Sequence, residues 1–118
     1  MKRNMDLIRQ LAIRIELADN QLDVGDILIE TFSPEEILYH CGLMREAGLI
    51  VGQIVALPDG VGYGMISHLT WPGHDFLDAA RDDKLWNRTM KTVGERVSSV
   101  TFDSLLDLLK AGALALIS

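Results

Sequence analysis

Apolar residues recur at helical spacing near the start of the chain. Between Met5 and Ala18, Ile8, Leu11, Ala12 and Ile15 fall at i, i+3, i+4 and i+7, with Arg9, Arg14 and Glu16 off that stripe. This is the pattern of an amphipathic helix, with Asn4 placed to cap it and Asp6 to favour its dipole. A polar stretch, Asp19 to Asp26, ends it, and Ile27 to Phe32 (I-L-I-E-T-F) is β-branched and apolar enough for a short strand. The second helix has the clearest start: Ser33, Pro34 and Glu36 form a capping box with proline in the first turn, and Gly48 supplies the stop. At 100° per residue Ile37, His40, Cys41, Leu43, Met44 and Ala47 share one face, and Glu35, Leu38, Tyr39, Gly42, Arg45 and Glu46 the other.

Two extended runs follow, Leu49 to Leu57 and Tyr63 to Thr70, joined by P-D-G-V-G at 58–62, which predicts a hairpin. Thr70 caps the next helix, with Trp71 and Pro72 in its first turn. That helix runs on or bends near Asp82-Asp83, because Trp86, Met90, Val93 and Val97 continue an apolar stripe. Phe76, Trp71 and Trp86 have the spacing of core aromatics rather than of a ligand stack. In the tail, Phe102, Leu105, Leu106, Leu109, Ala113 and Leu116 share one helix face, while Leu108, Leu114 and Ile117 spread apolar surface around it. A helix apolar nearly all round is buried on several sides, which predicts a subunit interface.

The chain of 118 residues is one domain by length, and 48% hydrophobic with 24% charged residues is the balance of a soluble globular protein. No apolar run reaches the roughly 18 residues that a bilayer span needs. Asp6, Arg9, Arg14 and Glu16 interrupt any signal-peptide core, so a cytoplasmic location is expected. The lone cysteine, Cys41, rules out an intrachain disulfide.

Helix, strand, helix, hairpin, helix is the order of a winged helix. The segment Y-H-C-G-L-M-R-E-A-G-L-I (39–50), with L-T-W-P-G (69–73) after the hairpin, resembles the recognition helix, wing and closing helix of bacterial winged-helix regulators. Those often read H-L-x-x-L-x-x-A-G-L-I and L-T-x-x-G at the same places. Together with M-K-R-N-M-D-L-I-R and L-T-W-P-G-H-D-F-L-D-A-A-R-D-D-K-L-W, nearly the whole chain resembles an uncharacterised bacterial family, domain-of-unknown-function family 2513, scattered among phages and mobile elements. The resemblance implies a fold and a genomic setting and brings no activity.

One departure from DNA-binding winged helices stands out. They place a short helix and a turn before the recognition helix, whereas here a strand-like run leads straight into Ser33. Charge points the same way. From Ser33 to Thr70, Arg45 is the one Lys or Arg, against Glu35, Glu36, Glu46 and Asp59, in a chain of net charge −6. Such a surface repels phosphate. Lys84, Arg88, Lys91 and Arg96 form the most basic helical stretch, with Lys2, Arg3, Arg9 and Arg14 adding charge at the N-terminus. The bland account of these residues is a solvated face.

Candidate chemistry is sparse. His74 and Asp78 lie at i, i+4, so two metal ligands could converge, with Asp75 nearby and His68 or Asp82 as a third. Carboxylates near a helix N-terminus have an ordinary structural explanation. His40 and Cys41 are adjacent and point 100° apart, which is poor for a thiol–imidazole pair. A hydrogen-bonded core histidine and a small packed thiol are expected there. G-V-G-Y-G (60–64) lacks the lysine and following helix of a phosphate loop.

The expectation is a small α+β, winged-helix-like domain over 1–118, with a core at 1–98, a wing at 49–70 and an apolar C-terminal helix at 101–117. It is expected to be non-catalytic, without cofactor, homodimeric through that helix, and bound to a protein partner through Leu38, Tyr39, Gly42 and Arg45. The alternative is a DNA-binding regulator using Lys84, Arg88, Lys91 and Arg96. A metal-dependent enzyme built on His74 and Asp78 comes third.

Overall fold

The computed structural model describes residues 1–58, 62–94 and 101–117. In chain order they form α1 (Met5–Leu17), β1 (Leu22–Asp23), a single 3-10 turn (Val24–Asp26), α2 (Pro34–Glu46), β2 (Ile50–Ala56), β3 (Gly62–Leu69), α3 (Trp71–Ala80), α4 (Asp83–Val93) and α5 (Phe102–Ile117). The architecture is α+β: five helices around a three-stranded antiparallel sheet of order β1-β3-β2.

Local sequence sets most of these boundaries. The Asn4 side chain accepts from Leu7 N–H, and the Ser33 hydroxyl and Glu36 carboxylate complete a reciprocal capping box on α2. Asp82 caps α4 and accepts from Leu85 N–H, so the helix after Thr70 breaks between Ala80 and Asp83 rather than running on. Gly48, at φ +76°, ends α2 in the left-handed region that a side chain disfavours.

The expected strand at Ile27–Phe32 is absent. Strand β1 is instead the two residues Leu22 and Asp23, which take the place beside β3 opposite Ile66 and Met65. Beyond them the backbone turns on itself. Ile27 N–H bonds Val24 O at 3.0 Å, Phe32 N–H bonds Ile29 O at 3.2 Å, and Thr31 takes φ +78°. Ile27 and Ile29 are buried and Leu28 is exposed, so the alternation is strand-like without a ladder. The 3-10 turn is all that stands in helical form between β1 and α2.

One core gathers Ile8, Leu11 and Ile15 of α1, Ile37, Cys41 and Met44 of α2, Ile66 of β3, and Phe76, Leu77 and Trp86 of α3 and α4. Leu105 and Leu109 seat α5 on it, with Phe102 tilted against Phe76 at 5.1 Å. Trp71 departs from the expected core: it is 83% exposed. The buried positions of α3 are Gly73, Phe76, Leu77 and Ala80, and Trp71 lies about 200° around the helix from Gly73. Arg96, Val97 and Leu116, part of the expected stripes, lie outside the described residues and side chains.

Arg9 joins α1 to the α3–α4 corner. Its guanidinium donates to Ala80 O at 2.6 Å and Arg81 O at 3.1 Å, pairs with Asp83, and lies 5.6 Å over the Trp86 ring. A cation on the last carbonyls of a helix complements its dipole. Trp86 Nε1 in turn donates to Asp6 at 2.6 Å. On the surface Arg81 forks onto Glu16 at 2.9 and 2.8 Å, which holds the Glu16 carboxyl below its usual range.

At the opposite corner α3 meets the α2–β2 turn. A Cβ on Gly73 would fall on the Leu49 carbonyl oxygen, so nothing larger than glycine fits. Gly73→Ala is expected to lower stability by about 1–3 kcal/mol by overpacking. Equilibrium urea unfolding measures it, and an unchanged midpoint contradicts the contact.

Candidate functional site

The capping box and the buried stripe Ile37, His40, Cys41 and Met44 fix the rotation of α2, and this turns Tyr39 and Arg45 outward and leaves Leu38 and Gly42 half-buried, Leu38 packed on the edge of the core. Three of these four share one depression. Leu38, Tyr39 and Gly42 line an apolar groove of about 350 Å³, closed on the other side by Ile54, Ala56 and Leu57 of β2 and its end. Glu35 and Glu46 stand at the rim, Met1 reaches in, and among the described residues no Lys or Arg lines it. Gly42 makes the floor, since a Cβ there would lie 3.8 Å from Ile54 Cγ2.

Arg45 does something else. Its Nε donates to Gly52 O at 2.9 Å, so the guanidinium covers the start of β2 rather than lining the groove. The strand side of the groove was not legible in sequence. I-V-G-Q-I-V-A is apolar on both faces, so period-two alternation could not separate Ile54 and Ala56 from Val51 and Val55.

The groove continues past Leu38. A second depression of about 190 Å³ shares Leu38 and Glu35 with it and adds Leu28, Pro34 and Tyr63. A third, of about 310 Å³, shares Leu28 and Pro34 with the second and carries Glu30. Leu28, Tyr39, Leu57 and Tyr63, four of the large exposed apolar side chains, thus lie along one belt around the start and outer side of α2. Among the described residues its charged lining is Glu30, Glu35 and Glu46.

The buried side of α2 is built differently. His40 is 1% exposed, and its two ring nitrogens are both engaged: Asn4 N–H donates to Nε2 at 2.8 Å, and Nδ1 lies 2.7 Å from Glu36 O. Nε2 must therefore carry the lone pair and Nδ1 the proton, so the ring pins the start of α1 to α2. Cys41 is wholly buried beside it, and burial pushes its thiol up to about 12.

The other candidates stay apart. Lys84, Arg88 and Lys91 are exposed at i, i+4 and i+7 on α4, while Arg96 is outside the described residues. Arg9 is not available to that charge, being engaged at the α3–α4 corner. His74 and Asp78 are exposed on α3, and Asp78 pairs with Arg81 at 3.0 Å. The His68 ring lies 2.8 Å from Leu69 O, and Asp82 caps α4. Among the described residues, no group of three or more His, Cys, Asp and Glu side chains could hold a metal ion. Also among them, no helix is long and apolar enough to cross a membrane.

A family model described as "Hypothetical protein (DUF2513)" matches residues 2–99, which takes in α1 through α4 and every described lining residue of the groove but Met1. The chain belongs to the DUF2513 family. It is also similar to an uncharacterised protein of Haemophilus influenzae, 33% identical across 100% of this chain and 97% of that protein. No solved structure matches.

In this DUF2513 protein the Cys41 thiol is expected to resist alkylation at neutral pH until the fold is opened with denaturant. Its ordinary value is 9.0 and its folded value about 12, so the unfolded chain loses the proton first as pH rises. The thiol's contribution to stability is therefore complete below pH 9.0 and falls away towards pH 12. Urea midpoints at rising pH, compared with Cys41→Ala, test this; equal slopes in the two proteins contradict it.

Proposed function

We propose that this DUF2513 protein is a non-catalytic, winged-helix-like interaction module that binds a protein partner through the outward side of α2. The observation that carries the reading is the apolar groove lined by Leu38, Tyr39 and Gly42 with a rim of Glu35 and Glu46. Contiguous apolar surface bounded by polar groups is the mark of a protein contact. The winged-helix part rests on the order α1, β1, 3-10 turn, α2, β2, β3, α3 with strands ordered β1-β3-β2. In such a domain α2 takes the place of the recognition helix and β2–β3 that of the wing. A carboxylate-rimmed α2 opposes a phosphate backbone, so the same architecture serves here for protein rather than nucleic acid.

A second reading has one observation in its favour: Lys84, Arg88 and Lys91 present a basic stripe on α4. Phosphate contact through that stripe would make the protein a DNA-binding regulator. Photo-crosslinking residues placed at Tyr39 and at Arg88 in cells separate the two readings. An identified protein adduct from position 39, lost in Leu38→Asp, is the expected result. Nucleic acid captured from position 88, with nothing specific at 39, overturns the first reading in favour of the second.

Self-association through α5 belongs to the same proposal, because Leu108 and Leu114 are exposed on a helix whose other side is seated on α3 and α4. Sedimentation equilibrium is expected to give a dimer that Leu108→Glu with Leu114→Glu converts to monomer. A wild-type monomer at every concentration contradicts it.

A further inference from the structure

We infer that the partner enters the α2–β2 groove as an extended segment, apolar and basic in character, that adds as a further strand along the outer edge of β2. This rests on α2's side being the docking surface and specifies how the partner sits there.

The order β1-β3-β2 leaves β2 at the edge of the sheet. Edge strands carry a row of backbone groups that the sheet does not use, and proteins usually guard them with Lys, Pro or a bulge. Here the strand I-V-G-Q-I-V-A has no charge and no proline. Its guards stand at one end: a register shift between Val51 and Gly52, and the Arg45 guanidinium on Gly52 O. From Gln53 onward the edge carries neither, and that unguarded part borders the groove.

Backbone direction follows from the same contacts. A Cβ built on Gly62 or Gly64 of β3 would approach Val55 O or Gln53 O, so those two carbonyls point into the sheet. Gly52 O receives Arg45 from outside. By alternation, Ile54 and Ala56 share Gly52's orientation and present their N–H and C=O groups outward. An incoming strand would bond to them. Its alternate side chains would then lie over the side on which Ile54 nears Gly42, within the groove.

Charge selects the chemistry of that segment. Glu35 and Glu46 rim the groove, Glu30 continues the acidic side of the belt, and among the described residues no Lys or Arg lines it. Lys or Arg flanking the apolar side chains would meet these carboxylates in register. A second copy of this chain, itself of net charge −6, brings the wrong sign.

The test uses a displayed library of random peptides selected on the full-length protein, with Gly42→Leu and Leu57→Glu as groove-altered controls checked for folding by circular dichroism. Enriched peptides are expected to alternate apolar residues with flanking Lys or Arg. A synthetic peptide from that pool should slow hydrogen exchange at the Ile54 and Ala56 amides. It should also lose at least about tenfold in affinity in either control, equivalent to about 1.4 kcal/mol. Acidic peptides, helically spaced peptides that leave those amides unprotected, or no enrichment over the controls overturn strand addition. The crosslink from position 39 decides separately whether α2 docks a protein at all.

Discussion

The α2–β2 turn and the start of α3 are tied into one knot, and the placement of α2 depends on it. Leu49 N–H bonds back to Met44 O at 2.9 Å, closing the helix, while Leu49 O accepts Thr70 N–H at 2.9 Å. The Thr70 hydroxyl donates to Gly48 O and accepts from Gly73 N–H, and Gly73 packs without a Cβ against Leu49 O. Gly48, Leu49, Thr70 and Gly73 are thus one constraint reached from two parts of the chain. It sets the end of α2 against both ends of the hairpin, and so holds the helix beside β2 with the groove between them. His40 adds a second tie, midway along the helix, through Asn4 N–H.

This knot explains why A-G-L-I and L-T-W-P-G stand out in the sequence. Three residues in them answer a geometric need: a left-handed turn at Gly48, a cap at Thr70, and a close approach at Gly73. The signature therefore describes how a helix is fastened to a hairpin. It carries no instruction about what the opposite side of the helix touches, which is why fold and function separate here.

What was legible follows the range of each interaction. Helix starts depend on neighbours in sequence, so Asn4, Ser33 and Thr70 were readable as caps, and buried Ile8, Leu11, Ile37 and Met44 followed from periodicity. Ile27–Phe32 misled because alternation signals extended backbone but not a partner, and Leu22–Asp23 hold the place beside β3. Trp71 is exposed because it lies about 200° around α3 from buried Gly73, so its spacing to Phe76 does not bring it to the buried face. Of the groove, sequence supplied part of one wall: Leu38, Tyr39 and Gly42 share the outward face, whereas Leu43, expected on the buried face, lines the groove as well. Ile54, Ala56 and Leu57 come from another element, and Arg45 is engaged with Gly52 O, contacts that only the folded chain brings together.

Two surfaces of opposite character result. Around α2 the chain shows apolar side chains with carboxylates, and on α4 it shows Lys84, Arg88 and Lys91, while Arg9 is held inside as a structural cation. We propose that the first of these is the working face. The most direct measurement is backbone amide chemical-shift mapping of the isotope-labelled protein on addition of the partner identified by crosslinking. Shifts confined to α2 and β2 are predicted; shifts centred on Lys84 to Lys91, with α2 and β2 unmoved, would contradict the account.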